Sequence, residues 1–163
     1  MNLRERATEI TGIFYSSCKD IIDEPPSFEI IPDIKYADYG TIFEEGIRFI
    51  DGSFLNFLEE IKKGDIGRYG YEYIRPNTGF FFHYQNEGIE NGIRKPLNHL
   101  HVGILKKYAN GNLLDLLPEE LKEHKGPHFK APEIKFNEFM GMIIFCFFAD
   151  HRSCEDMIRS LGV

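Results

Sequence analysis

Three observations predict an α+β fold for this chain. Apolar residues recur at helical spacing near the start, at Leu3, Ala7, Ile10, Ile13, Phe14, Ser17 and Ile21. Short hydrophobic runs divided by turn signals fill the middle, from Phe28 to Leu105. A second helical stretch, Glu133 to Ser160, closes the chain. Helices and strands segregated in this way indicate α+β rather than alternating α/β. The expected architecture is an N-terminal helix, a twisted antiparallel sheet of about five or six strands, and C-terminal helices packed on one face.

The elements follow in order. Asp23-Glu24-Pro25-Pro26 ends the first helix, because proline cannot continue the hydrogen-bond ladder. Phe28 to Ile31 and Ile34 to Tyr36 form a short strand interrupted at Pro32, as at a sheet edge or a bulge. Thr41 to Ile50 and Ser53 to Ile61 flank Asp51-Gly52, the preferred pair for a type I′ hairpin turn. Glu59, Glu60, Lys62 and Lys63 read as a solvated strand end, and Lys62 to Gly67 as a polar connection. A second hairpin joins Arg68–Arg75 to Phe80–Asn86 through Pro76-Asn77-Thr78-Gly79. A loop, Glu87 to Pro96, leads to a strand carrying His99-Leu100-His101-Val102 and ending near Leu105. Leu113 to His124 reads as a leucine-rich helix, His124 to Pro132 as a polar loop, and the last helix breaks near Asp150-His151.

The bulk composition narrows the function classes. A chain of 163 residues is expected to form a single domain, residues 1–163, with a substantial core. Its 42% hydrophobic content excludes the signature of disorder. A net charge of -7 argues against a generic basic clamp for nucleic acid and leaves room for a local basic patch or a basic protein partner. The longest apolar run, Met140 to Ala149, is half of the ~20 residues a membrane span needs. Met-Asn-Leu-Arg-Glu-Arg carries no signal-peptide core. With no C-x-x-C spacing, Cys18, Cys146 and Cys154 read as buried free thiols of a cytoplasmic protein.

Side chains alternate across a strand, so the second hairpin sorts its residues by face. If Pro76 pairs with Gly79, Tyr73 faces Phe82 and Tyr71 faces Tyr84. Tyr69, Tyr71, Tyr73, Phe80, Phe82 and Tyr84, with Leu100 and Val102, then pack under the helices. Glu72, His83, Gln85, His99 and His101 share the other face, which is expected to meet water. Imidazoles titrate near neutrality, so three of them beside a carboxylate suit general acid–base work. His83, His99 and His101 also suit a metal, with water as a fourth ligand. A solvated polar face with no chemistry is the plain alternative. His124, Lys125, His128 and Lys130 are loop cations that could assist at a phosphate. Neither phosphate-binding nor dinucleotide-binding glycine motifs are present, nor is a serine-hydrolase elbow.

The ordered set Asp51-Gly52-Ser53-x-Leu55, Tyr71-x-Tyr73, Phe82-His83-Tyr84-Gln85-Asn86 and His99-Leu100-His101-Val102-Gly103 resembles a small prokaryotic family of toxins, the TumE-like toxins of toxin–antitoxin pairs. The resemblance spans roughly Phe43 to His101. It implies a cytoplasmic protein encoded beside a DNA-binding antitoxin, with a layout similar to the RelE and barnase ribonucleases. It further implies metal-independent RNA cleavage without a cofactor, in which a 2′-hydroxyl attacks the adjacent phosphate. Glu72, His83, His99 and His101 are the catalytic candidates. Tyr84, Gln85, Asn86, His128 and Lys130 are the candidates for binding RNA. Two positions depart from the family pattern: His83 stands for an arginine and Gln85 for an aspartate. Loss of that arginine removes a phosphate clamp. The expected function is therefore a toxin-like ribonuclease or RNA-interacting protein, divergent or inactive, with an antitoxin, RNA or a second copy as partner. The alternatives are a metal-dependent hydrolase using the H-x-H strand and a non-enzymatic interaction domain.

Overall fold

The structure, a computed structural model, describes residues 2–36, 38–76, 78–86, 89–90, 93–94, 97–105, 128–130 and 133–160. Helix α1 (Leu3–Ser17) precedes strands β1 (Glu29–Pro32), β2 (Gly40–Arg48), β3 (Phe54–Lys62), β4 (Asp65–Ile74) and β5 (Phe80–Gln85). Two-residue strands β6 (Ile89–Glu90) and β7 (Ile93–Arg94) pair with each other. Strands β8 (His99–Ile104) and β9 (His128–Lys130) and helices α2 (Phe136–Phe148) and α3 (His151–Ser160) follow. The main sheet runs β1-β2-β3-β4-β5-β8-β9, antiparallel throughout. The protein is thus α+β, with helices gathered on one face of an open sheet. Among the described residues, no helix is long and apolar enough to cross a membrane.

Helix α1 starts with a reciprocal cap. Glu5 N donates to Asn2 Oδ1 and Asn2 N donates to Glu5 Oε2, each at 2.9 Å, which satisfies two otherwise orphaned donors. The helix ends at Ser17, five residues before the expected stop at Ile22. Tertiary pairing overrides the helical spacing here: Asp23 N donates to Arg48 O, and Ile50 N donates to Ile21 O. Pairing to the end of β2 removes this segment from the helix.

The β2–β3 hairpin forms where expected, but its turn is not type I′. That turn needs positive φ at both central residues, whereas Gly52 has φ 84° and Asp51 is not among the positive-φ residues. Gly52 N donates to Phe49 O and Phe49 N donates to Ser53 O. This is a three-residue loop closed by a left-handed glycine, and Ser53 N and Oγ both donate to Asp51 Oδ1. A two-residue turn with both φ positive occurs at Lys63-Gly64, φ 54° and 78°, between the paired Lys62 and Asp65.

The core lies between the sheet and the helices. Tyr71, Tyr73, Phe80, Phe82, Tyr84, Leu100 and Val102 are all at most 1% exposed. Phe139 of α2 packs on Tyr71 and Phe82, and Phe136 packs edge-on to Phe57. Full burial of each such ring contributes about 1.5–3 kcal/mol relative to exposure. The terminal helical stretch breaks at Ala149–Asp150, where Asp150 caps α3 by accepting from Ser153 N and Oγ. The break folds α3 back onto α2, and Cys146 and Cys154 form a disulfide with 4.9 Å between their Cα atoms. These two are therefore not the free thiols expected. Cys18 is free and buried, and burial pushes its pKa up to about 11.

Candidate functional site

On the face away from the helices, the register arranges side chains in rows across the strands. One row runs Asn56, Glu72, His83, His101. The next runs Leu58, Gly70, Gln85, His99. The pairing inferred from the Pro76–Gly79 turn is the one observed, so Glu72, His83, Gln85, His99 and His101 do share a face.

Glu72 and His83 form its outer part. Glu72 Oε2 lies 3.7 Å from His83 Nδ1, with the side chains 15% and 13% exposed. Glu72 Oε1 accepts from Asn56 Nδ2 at 3.1 Å. Asn56 is itself held by the β2 bulge, where Gly46, at φ 71°, donates its N–H to Asn56 Oδ1 at 2.9 Å. A bulge thus sets the amide that orients the carboxylate. A β-carbon at Gly70 would sit 3.5 Å from His83 Nε2, in ordinary van der Waals contact with it, so Gly70 lies directly against the imidazole. Glu72, His83 and Gly70 line a groove of about 340 Å³ together with Phe43, Asn56 and Arg68. Arg68, whose Nη1 pairs with Glu60 Oε1 at 3.2 Å, supplies a cation there. This arrangement can orient an imidazole, move a proton at its far nitrogen and hold an anion nearby.

The inner part is not the water-facing patch expected. His99 is 0% exposed, His101 3% and Gln85 7%. Strand β9 pairs with β8, so β8 lies inside the sheet rather than at its edge. The rings of His99 and His101 meet edge-on with centroids 5.0 Å apart, and His101 lies 6.0 Å from His83. Gln85 Nε2 reaches His99 Nε2 at 2.9 Å and His101 Nε2 at 3.3 Å.

The remaining sequence candidates are dispersed. Tyr84 points to the opposite face, against Phe139, where burial pushes its pKa up to about 12. Asn86 closes the β4 bulge: its Oδ1 accepts from Tyr69 N and its Nδ2 donates to Gly67 O, each at 2.8 Å. His128 and Lys130 stand opposite His101 and His99 in the β8–β9 register. Their side chains lie outside what the structure describes, as do residues His124 and Lys125 and the expected helix Leu113–His124. Among the described residues, no group of three or more His, Cys, Asp or Glu side chains is arranged to hold a metal ion. His83, His99 and His101 therefore share a face without forming such a group.

Sequence reasoning missed a second polar cluster, on the helix side of the sheet. Glu59 is fully buried rather than solvated. Arg6 grips it with two bonds of 2.7 Å, Nε to Oε2 and Nη2 to Oε1, and Tyr71 OH donates to Oε1 at 2.7 Å. Burial by itself lowers the Arg6 pKa, but hydrogen bonds and charge from Glu59 and Glu9 outweigh it and raise the value. Tyr71 is pushed up by burial and by the Glu59 charge. The signals were present. Arg6 falls on the apolar stripe of α1, between Leu3 and Ile10, and Glu59 is in phase with inward-facing Leu55, Phe57 and Ile61. Against protein-family models, curated proteins and solved structures alike, the chain finds no match.

Proposed function

We propose that this chain is a toxin-like, metal-independent ribonuclease whose site is the groove over Gly70. The single observation that carries the reading is the Glu72–His83 pair, a carboxylate facing the inner nitrogen of an imidazole at 3.7 Å on the open face. At 3.7 Å the carboxylate acts on Nδ1 by its charge rather than through a hydrogen bond, which favours the proton on that side and leaves Nε2 to accept one. His83 Nε2 takes the proton of the attacking 2′-hydroxyl. The 2′-oxygen bonds to phosphorus, the bond to the 5′-oxygen breaks, and the departing oxygen takes a proton from a solvent water, whose hydroxide is neutralised by the proton held on His83. The products are a 2′,3′-cyclic phosphate and a free 5′-hydroxyl. Arg68, in the same groove, stands in for the phosphate clamp that the sequence lacks at position 83. The resemblance to TumE-like toxins supports the same reading and adds a cognate antitoxin as partner.

The test is cleavage of a single-stranded RNA in the presence of chelator. Wild-type protein is expected to cut it and to leave a strand with 2′-deoxy sugars intact. His83→Ala is expected to lose roughly 100-fold or more of the rate, the span of general acid–base catalysis. RNA left intact by folded wild-type protein, or cut equally well by His83→Ala, would overturn the proposal.

A further inference from the structure

We infer that the outward face of α2 is the contact surface of a homodimer, in which Phe145 and Phe148 of one copy pack antiparallel against α2 of a second copy of this chain. The inference does not depend on the ribonuclease reading. It starts from the sequence of the helix. Of the 13 residues of α2, Asn137 and Glu138 alone carry polar side chains. A helix that is apolar all round is expected to be covered on every side. One side of α2 is covered: Phe136, Phe139, Met140, Ile143 and Cys146 are buried in the core. The other side stands open. Gly141, Phe145 and Phe148 recur at i, i+4 and i+7, which sets them on one stripe of the helix. Gly141 is exposed there, Phe145 is 45% exposed and Phe148 74%.

The stripe is complementary to itself. A β-carbon at Gly141 would meet nothing within 4 Å, so the glycine is a notch open to an incoming side chain. Glycine inside a helix is unfavourable relative to alanine, and a ring arriving from outside supplies a reason for it. Setting two copies antiparallel about the midpoint of Gly141 and Phe148 drops each Phe148 ring into the other copy's notch. It also lays each Phe145 against Ile144 and Phe145 of the other copy. This register matches apolar surface to apolar surface along the whole stripe, and a two-fold axis makes its two halves alike. The charges at the ends agree with it. Glu138 is exposed in the first turn of α2. Arg152, with its side chain 91% exposed and 3.9 Å from Asp156, follows the other end of that helix. An antiparallel pair brings Glu138 of one copy beside the end that carries Arg152 of the other, twice over, and opposes the two helix dipoles. Notch, ring, acid and base thus all lie on one chain in an order that a two-fold axis pairs, which points to a second copy rather than an unlike protein. A helix of this length, roughly 20 Å, presents less than the about 800 Å² per partner of a standard interface. The dimer is accordingly one that dissociates on dilution.

The test is sedimentation equilibrium of the full chain, without RNA, from low to high micromolar protein. The wild type is expected to pass from monomer to dimer over that range. Phe145→Glu/Phe148→Glu is expected to remain monomeric throughout, with the wild-type circular dichroism spectrum. Gly141→Gln fills the notch with a better helix former, so the monomer should lose no thermal stability. Its dimerisation should nevertheless weaken by roughly tenfold or more, as for a side chain at the centre of an interface. That variant separates a lost contact from a lost fold. A wild type that stays monomeric at every concentration, because another stretch of this chain or an unlike protein covers the face, would overturn the inference. So would a dimer that survives either set of substitutions.

Discussion

Removing Arg6 while keeping Glu59 is the most demanding perturbation of this fold. Glu59 is 0% exposed, and two of its three hydrogen bonds come from Arg6. In Arg6→Met the alkyl stem keeps its place, but among the described residues the carboxylate retains only Tyr71 OH. Breaking one side of a buried pair costs about 3–5 kcal/mol, because a charge is left uncompensated. For a chain of this size each kcal/mol is worth about 2–4 °C, so Tm should fall by roughly 6–20 °C. The double variant Arg6→Met/Glu59→Leu removes the stranded charge as well as the pair. Apolar replacement of a buried pair is commonly neutral or stabilising, so the double variant should recover most of the loss. Urea titration followed by far-UV circular dichroism measures each term, and the cycle gives the coupling. A loss below about 1 kcal/mol in Arg6→Met, or a double variant no better than the single, would refute this account of the pair.

Three further outcomes follow from the structure. Gly40→Ala should destabilise the protein by about 1–3 kcal/mol in the same titration, since a β-carbon there would lie 2.5 Å from Ile31 O and 2.6 Å from Leu3 Cδ1. Cys146→Ser should lower stability by about 2.5 kcal/mol on the chain-entropy estimate for a short loop, the bridge spanning a separation of 8 residues; a matching loss should appear in wild-type protein unfolded under reducing conditions. Burial raises the pKa of Tyr69, Tyr71 and Tyr73 and brings Tyr84 to about 12, from an ordinary 10.0. A raised folded pKa gives stability that is complete below the unfolded value and lost as pH rises through the folded one. The urea midpoint should therefore show no tyrosine-linked loss below about pH 10 and fall steeply above it, in step with tyrosinate absorbance.

Much of the site was legible because strand pairing obeys a simple geometry. One turn, Pro76 to Gly79, fixed which residues of β4 and β5 face each other, and alternation then separated the aromatic face from the histidines. The H-x-H spacing of His99 and His101 placed both rings on that second face. What could not be read were properties set by distant chain. The burial of His99 and His101 accompanies β9, some 25 residues downstream, pairing onto β8. The Glu59 environment depends on Arg6, 53 residues away. The Cys146–Cys154 bridge depends on the angle at which α3 leaves Asp150, whereas the sequence marked only the break. The turn at Asp51-Gly52 shows a different limit. The dipeptide signalled a hairpin correctly, but loop length, set by the pairing of Phe49 with Ser53, selected another turn class.

The outermost strand carries one more consequence. Asp33 N donates to Tyr39 O, so by the alternation of an antiparallel ladder Pro32 turns its backbone away from β2, toward solvent. A proline there costs the existing ladder nothing and deprives any newcomer of a donor. The open margin of the sheet is thus blunted against templating by stray β-segments, including those of sister molecules, at a place where exposed Ile30 and Ile31 would otherwise invite them.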